Sequence, residues 1–300
     1  MSPSRSNGVV AAILTPLSIS LFAFQSALAQ ANSTYLALGD SYGFGNTTEA
    51  SYTQSSNGDR GYVGLYADWL GTLHGTRPSV LNISITGDTT GSYFDTTETS
   101  RVYNTNYSGQ SQMQRFNEAV ADESAAGRTV TTVSCSFVGA DLLELVQDPA
   151  FPTLPTGEQF TRLINTLNAA QVNYTNILTQ VRTALPGADL ILVGYPNPFR
   201  AYMDPAYDFV DIAVQGANLV VQQMASQFGG RYIDVYGAFH GSEGIYTEIL
   251  LDPSVLPNPH PTEAGYEVIA GAMRVPGPGV AMVFVCVLVP GFQRSRRGLR

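Results

Sequence analysis

Between Thr34 and Met273, short apolar runs alternate with longer stretches of helical periodicity, and this alternation confines the chain to one architecture. The runs Thr34–Leu38, Val80–Ile85, Thr129–Phe137, Asp189–Val193 and Arg231–Val235 have the length and side-chain composition of β-strands. Gly61–Leu73 puts Tyr62, Leu65, Tyr66, Trp69, Leu70 and Leu73 on one helical face. A longer helix is marked by Leu163, Ile164, Leu167, Tyr174, Ile177 and Val181 and closed by Leu185-Pro186-Gly187. Asp208–Phe228, ended by Gly229-Gly230, and Glu263–Met273 are helical as well. Strands separated by helices need right-handed crossovers, which give a parallel sheet covered by helices on both faces. The expected class is therefore α/β, a three-layer α/β/α sandwich with five parallel strands. There is no internal repeat. The polar stretch Asp88–Gln110 reads as a long surface loop or lid.

The ends do not belong to this pattern. Residues 1–29 read as a secretory signal peptide: Arg5 supplies the charged start, Val9–Phe24 the apolar run, and Ala27-Leu28-Ala29 a small-residue cleavage site. At the other end, an apolar stretch from Val280 to Val289 is followed by Arg294, Arg296, Arg297 and Arg300, a stop-transfer pattern. With Val275-Pro276-Gly277-Pro278 ahead of it, residues 274–300 resemble the PEP-CTERM sorting signal of Gram-negative bacteria. Gly277 stands where that motif usually has glutamate, and Pro290 breaks the apolar run. The alternative is an ordinary C-terminal membrane anchor. Residues 32–273 remain as one domain. The expected location is outside the cytoplasm: periplasmic, on the cell surface or extracellular, with inner-membrane sorting machinery as a processing partner.

Composition removes several kinds of chemistry. All 15 basic residues are arginine. A chain without lysine has no Schiff-base amine and no lysine-bearing phosphate loop. The net charge is −9, and a nucleic-acid partner needs a basic footprint. The imbalance is sharper in the domain, where nine arginines face all 24 acidic residues. Such a surface favours a neutral substrate over an anionic one. With three histidines and two cysteines, neither a structural zinc site nor a disulfide framework is expected.

In an open parallel sheet, sites form at the carboxyl ends of the strands. The notable residues there are Gly39-Asp40-Ser41, Thr86-Gly87-Asp88 and Gly139-Ala140-Asp141, and His260 lies just before the last helix. A serine nucleophile needs a general base within reach and donors aimed at the developing oxyanion. Ser41 and His260 supply the first pair of roles. The backbone N–H groups of Ser41 and Gly87 can supply the donors. Taken singly, Ser41 is better read as an N-cap serine and His260 as a surface loop histidine.

Three blocks in order resolve that ambiguity by resemblance. Tyr35-Leu36-Ala37-Leu38-Gly39-Asp40-Ser41, Leu81-Asn82-Ile83-Ser84-Ile85-Thr86-Gly87 and His260-Pro261-Thr262-Glu263-Ala264-Gly265-Tyr266 resemble the first, second and last blocks of the GDSL/SGNH hydrolases. The resemblance covers nearly the whole domain. It implies a flavodoxin-like SGNH hydrolase fold and hydrolysis of carboxylic esters, with Ser41 as nucleophile and His260 as base. Ser41 and Gly87 are then oxyanion donors, with Ala140, at the place of the family's asparagine, as a further candidate in the oxyanion hole, and no metal or cofactor is implied. The substrate is a small-molecule, glycan or lipid ester. A carbohydrate deacetylase or acyltransferase, or a catalytically impaired binding protein of the same fold, are the alternatives. Gly39-Asp40-Ser41-Tyr42-Gly43 also satisfies G-x-S-x-G, but that elbow follows several earlier strands, and too little chain precedes Ser41 here.

Two positions depart from the family. Its third block reads Gly-x-Asn-Asp, the asparagine being a donor to the oxyanion. Here Val138-Gly139-Ala140-Asp141 leaves Ala140 at the asparagine, or, with a one-residue deletion, no asparagine at all. The family's aspartate three residues before the histidine is replaced by Pro257. Asp252 or the Pro257 backbone carbonyl are the candidates to orient the imidazole. Other residues have structural readings: His74 at a helix end, His240 on the surface, Cys135 in the core and Asp59-Arg60 as a surface pair. Asp40 and Asp141 orient loops. Tyr93, Phe94, Tyr103 and Tyr107 either cover a substrate or anchor their loop.

Overall fold

A computed structural model describes residues 32–48, 59–95, 109–202, 208–250 and 258–275. Strand β1 (Ser33–Gly39) is buried along its whole length, as a strand covered on both faces must be. It pairs in parallel with β2 (Ser79–Asn82) on one side and β3 (Thr129–Ser136) on the other. Beyond β3 lie β4 (Asp189–Val193) and β5 (Arg231–Ile233), all parallel, giving the order β2-β1-β3-β4-β5. That is the flavodoxin-like order, with its switch point between β1 and β3. The expected five-stranded parallel α/β fold is thus the observed one.

The helices fall into two packed groups. Helix α1 (Ser41–Phe44) follows β1 directly, and α2 (Gly61–His74) follows after residues 59–60. Helix α3 (Gln112–Ala125) precedes β3, and α4 (Gly139–Gln147) follows it. The long α5 (Thr156–Ala184) buries Leu163, Ala170, Tyr174, Ile177, Leu178 and Val181, a single stripe at i, i+3 and i+4 spacing. It packs against α6 (Asp208–Gln227). After β5 come two short helices, α7 (Val235–Phe239) and α8 (Glu243–Tyr246), then α9 (Glu263–Met273), which packs on α2.

Some boundaries differ from the sequence expectation for local reasons. Val235 opens α7 rather than ending β5, because the Asp234 side chain accepts the Gly237 N–H as an N-cap. Helix α3 was not expected; it starts with a capping box in which Ser111 and Gln114 satisfy each other's backbone N–H groups. Within Asp88–Gln110 the described residues 88–95 form a turn and one 3₁₀ turn at Ser92–Phe94. Tyr93 is fully buried there and meets Phe137 edge-on, so it anchors the segment. Tyr103 and Tyr107 lie outside the described residues, as do residues 1–29 and the tail beyond Val275. Among the described residues no helix is long and apolar enough to cross a membrane.

The Asp59-Arg60 surface pair is corrected. Asp59 bonds Arg77 at 2.5 Å, whereas Arg60 is buried with its guanidinium 4.4 Å above the Phe44 ring. His74 ends α2 ahead of the left-handed Gly75, His240 is exposed, and Cys135 is a fully buried thiol.

Candidate active site

The carboxyl ends of β1, β3 and β4 open into a cavity of about 170 Å³. Ser41, Gly87, Ala140 and His260 all line it, so the fold brings the sequence-selected residues together. Each arrives by a different route.

Ser41 begins α1 immediately after β1. The strand's last residue, Gly39, has φ +141°, and a Cβ there would come 2.3 Å from Ser136 Oγ. Only glycine lets the chain turn this close to β3. Gln112 of α3 then clamps the turn: its Oε1 accepts the Gly39 N–H at 2.6 Å and its Nε2 donates to the Gly39 carbonyl at 2.9 Å. The same Nε2 donates to Asp88 Oδ2 at 2.7 Å, tying the second block to the first. Asn82 adds a further tie by donating to the Gly43 carbonyl at 2.7 Å.

Asp40 sits under Ser41, fully buried. Its carboxyl accepts the Tyr42 N–H at 3.0 Å and the Tyr195 hydroxyl at 2.6 Å. Burial pushes its pKa up to about 7, against the lowering effect of its hydrogen bonds from Tyr195, Tyr42 and Ala140. Asp141 accepts the Thr90 N–H at 3.0 Å and the Thr90 hydroxyl at 2.7 Å. Both aspartates orient loops, as expected. Gly87 takes φ +77°, a conformation that favours glycine, with open space where a Cβ would stand.

The third block is unusual in backbone as well as in sequence. Val138 has φ +92°, the left-handed region, and among the described residues it is the only non-glycine there. For a β-branched side chain this costs about 1–2 kcal/mol. The ungapped reading accounts for it, since Val138 then stands at the family's glycine. Ala140 lines the cavity and carries no side-chain donor.

His260 reaches the cavity from the loop before α9. The Tyr42 hydroxyl donates to the Pro259 carbonyl at 2.8 Å, joining the serine helix to the histidine loop, and the two rings lie 6.5 Å apart. Burial pulls the imidazole pKa down to about 4, with Glu248 acting in the opposite sense. Asp252 and Pro257, the sequence candidates for its orienter, lie outside the described residues. The group facing the ring is Asn258, whose Oδ1 is 2.5 Å from Nδ1. Asn258 was not selected from the sequence, and neither were Glu248, Gln112 and Tyr195.

The cavity wall away from the polar groups is apolar. It includes Leu142, Leu143 and Val146 of α4, Val210 and Val214 of α6, and Phe199.

A parallel sheet in this order, with serine, glycine and histidine converging on a cavity at its carboxyl edge, defines a three-layer hydrolase-type α/β protein. The model of the GDSL-like Lipase/Acylhydrolase family matches residues 37–268, and the chain belongs to that family. Solved structures share the fold. A lipase from a goat rumen metagenome aligns with TM-score 0.57 and 19% identity, over 80% of this chain and 95% of that one. Phospholipase A1 from Streptomyces albidoflavus gives 0.53 and 18%, over 80% and 98%. A variant of an acetyl-xylooligosaccharide esterase from Geobacillus stearothermophilus gives 0.53 and 15%, over 81% and 94%. No curated protein sequence matches the chain.

Proposed function

We propose that the chain is an exported serine hydrolase of carboxylic esters with a short apolar acyl group. Ser41 Oγ attacks the ester carbonyl while His260 Nε2 takes its proton. The Ser41 and Gly87 N–H groups hold the oxyanion. The protonated imidazole then passes its proton to the leaving alcohol, and water, activated by the same base, releases the acid. One observation carries this reading: Ser41 and His260, from opposite ends of the domain, line the same cavity with Gly87. The low pKa of His260 supports it, because an imidazole that is neutral at pH 7 is ready to act as a base.

The apolar wall supports the choice of substrate. Each buried methylene contributes about 0.8 kcal/mol, so a butanoate gains about 1.6 kcal/mol over an acetate, or roughly tenfold. The cavity of about 170 Å³ is small for a ligand pocket and favours short chains. Export rests on the signal-like residues 1–29 and on the sorting-signal resemblance of residues 274–300.

The test is hydrolysis of p-nitrophenyl butanoate by the purified protein and by Ser41→Ala and His260→Ala. Loss of activity in both variants is expected. Equal, negligible hydrolysis by all three proteins, with no labelling of Ser41 by a fluorophosphonate, would favour the second reading, a binding protein of the same fold. The absence of a side-chain donor at Ala140 is the observation behind that reading. Mass spectrometry of the cell-derived protein tests processing; an unprocessed N-terminus sinks the export proposal.

A further inference from the structure

The family's acid is missing from its usual place, yet the Nδ1 side of His260 is fully furnished. Asn258 Oδ1 stands 2.5 Å from Nδ1 and also accepts the His260 main-chain N–H at 3.1 Å. Asn258 Nδ2 donates to Glu248 Oε2 at 2.5 Å. Glu248 is buried, with 1% of its surface exposed. Its other oxygen, Oε1, accepts the Thr47 hydroxyl and the Thr48 N–H, each at 2.5 Å. Its own N–H donates to the His260 carbonyl at 2.8 Å.

An amide side chain has two unlike ends, so its neighbours decide which end faces which way. Asn258 has an acceptor on one side, Glu248, and a donor on the other, the His260 N–H. Only one orientation satisfies both: NH₂ toward Glu248, carbonyl toward His260. A carbonyl facing Nδ1 requires the ring proton on Nδ1. That leaves Nε2 with its lone pair free.

We propose that Glu248 is a positioning residue which, through Asn258, fixes the His260 tautomer with the proton on Nδ1. The inference rests on the reading of His260 as the base, but its mark on the ring exists whether or not the protein turns over an ester. Glu248 has a second effect by the same contacts. It ties residues 47–48, which follow α1, to the histidine loop, so the serine and histidine segments are held by one side chain.

The decisive perturbation is Glu248→Gln. The glutamine keeps an oxygen for Thr47 and Thr48 but presents an NH₂ group to the NH₂ of Asn258. Turning Asn258 over then meets the glutamine at the expense of the bond from the His260 main-chain N–H, and the NH₂ it offers to the ring draws the proton to Nε2. The readout is the pair of imidazole nitrogen shifts in protein labelled with ¹⁵N-histidine. The expected result is an unprotonated, pyridine-type Nε2 in the parent and a protonated Nε2 in Glu248→Gln. Ester turnover by the variant should fall about 10²–10⁴-fold, the usual contribution of a positioned base. The double variant Asn258→Asp/Glu248→Gln restores complementarity, since the new aspartate accepts from both Gln and Nδ1–H. It should return Nε2 to the unprotonated form and recover turnover to within about tenfold of the parent. A parent-like tautomer in Glu248→Gln overturns the proposal. If that variant does not fold, the double variant decides: folded with a protonated Nε2, it also overturns the proposal. Retained activity in His260→Ala would instead sink the base assignment and leave the tautomer result standing.

Discussion

The third block offers the sharpest test of the chemistry, through Ala140→Asn. Position 140 is the second residue of α4 and lines the same cavity as Ser41 and Gly87. An asparagine side chain there would extend an amide toward the space where the carbonyl oxygen becomes negative. One such donor changes turnover by ~10²–10³, or about 2.7–4 kcal/mol. The gain belongs to the transition state, so kcat should rise with KM nearly unchanged. Without substrate the amide lies against an apolar wall, which costs about 1–3 kcal/mol of stability if it finds no partner. The assay is p-nitrophenyl butanoate hydrolysis, in the parent and in a His260→Ala background, with thermal unfolding measured in parallel. The His260→Ala background should stay near baseline. A folded Ala140→Asn protein with unchanged or reduced kcat would refute the idea that the cavity lacks a side-chain donor.

Other consequences are more local. At Val138 the usual order of substitutions should invert: Val138→Gly should be more stable than Val138→Ala by about 1 kcal/mol in urea unfolding, because only glycine relieves the positive φ. Val214→Phe should fill the acyl end of the cavity and remove the roughly tenfold preference for butanoate over acetate in kcat/KM, with acetate hydrolysis little changed. Asp40 titrates near pH 7 in the folded protein and near 3.8 unfolded, so its protonated form stabilises the fold at low pH and that stability is lost as pH rises to 7. Asp40→Asn should therefore gain stability relative to the parent between pH 4 and 7, by up to about 4 kcal/mol, and the gain should level off above pH 7. His260 works in the reverse sense: its folded pKa is depressed to about 4, so kcat/KM should hold its value below the ordinary histidine range and fall only near pH 4.

The sheet was legible because its signals are local. A strand buried on both faces, such as β1, is a continuous apolar run, and α5 shows its stripe without any knowledge of its neighbours. The serine, glycine and histidine were legible because each sits in a short block with its own turn chemistry. Helix α3 was readable in principle: Ser111-x-x-Gln114 is a capping-box signature, but it follows a polar stretch that draws attention to loop formation instead. Gln112, the second residue of that box, was hidden for a different reason. Nothing near it in sequence reveals that its amide meets Gly39, a contact made only by the crossover from β2 to β3.

The orienter of His260 shows where block reading fails physically. A motif fixes a residue's number, whereas a hydrogen bond needs only an acceptor at the right point in space. Asn258, one place nearer to His260 than the family's aspartate, reaches Nδ1, and the kind of group it offers there is set by a third residue, Glu248, ten positions earlier. An isolated asparagine is ambiguous, since either end of its amide can meet the ring. Glu248 removes the ambiguity because its carboxyl accepts from Asn258 and from Thr47 and Thr48 at once. The acid and the asparagine that the family spends on two separate tasks are thus uncoupled in this chain. Asn258 Oδ1 meets the imidazole Nδ1, while alanine at position 140 carries no side-chain donor. The two departures therefore predict opposite responses. Changes at Glu248 should lower activity, and a gained amide at position 140 should raise it.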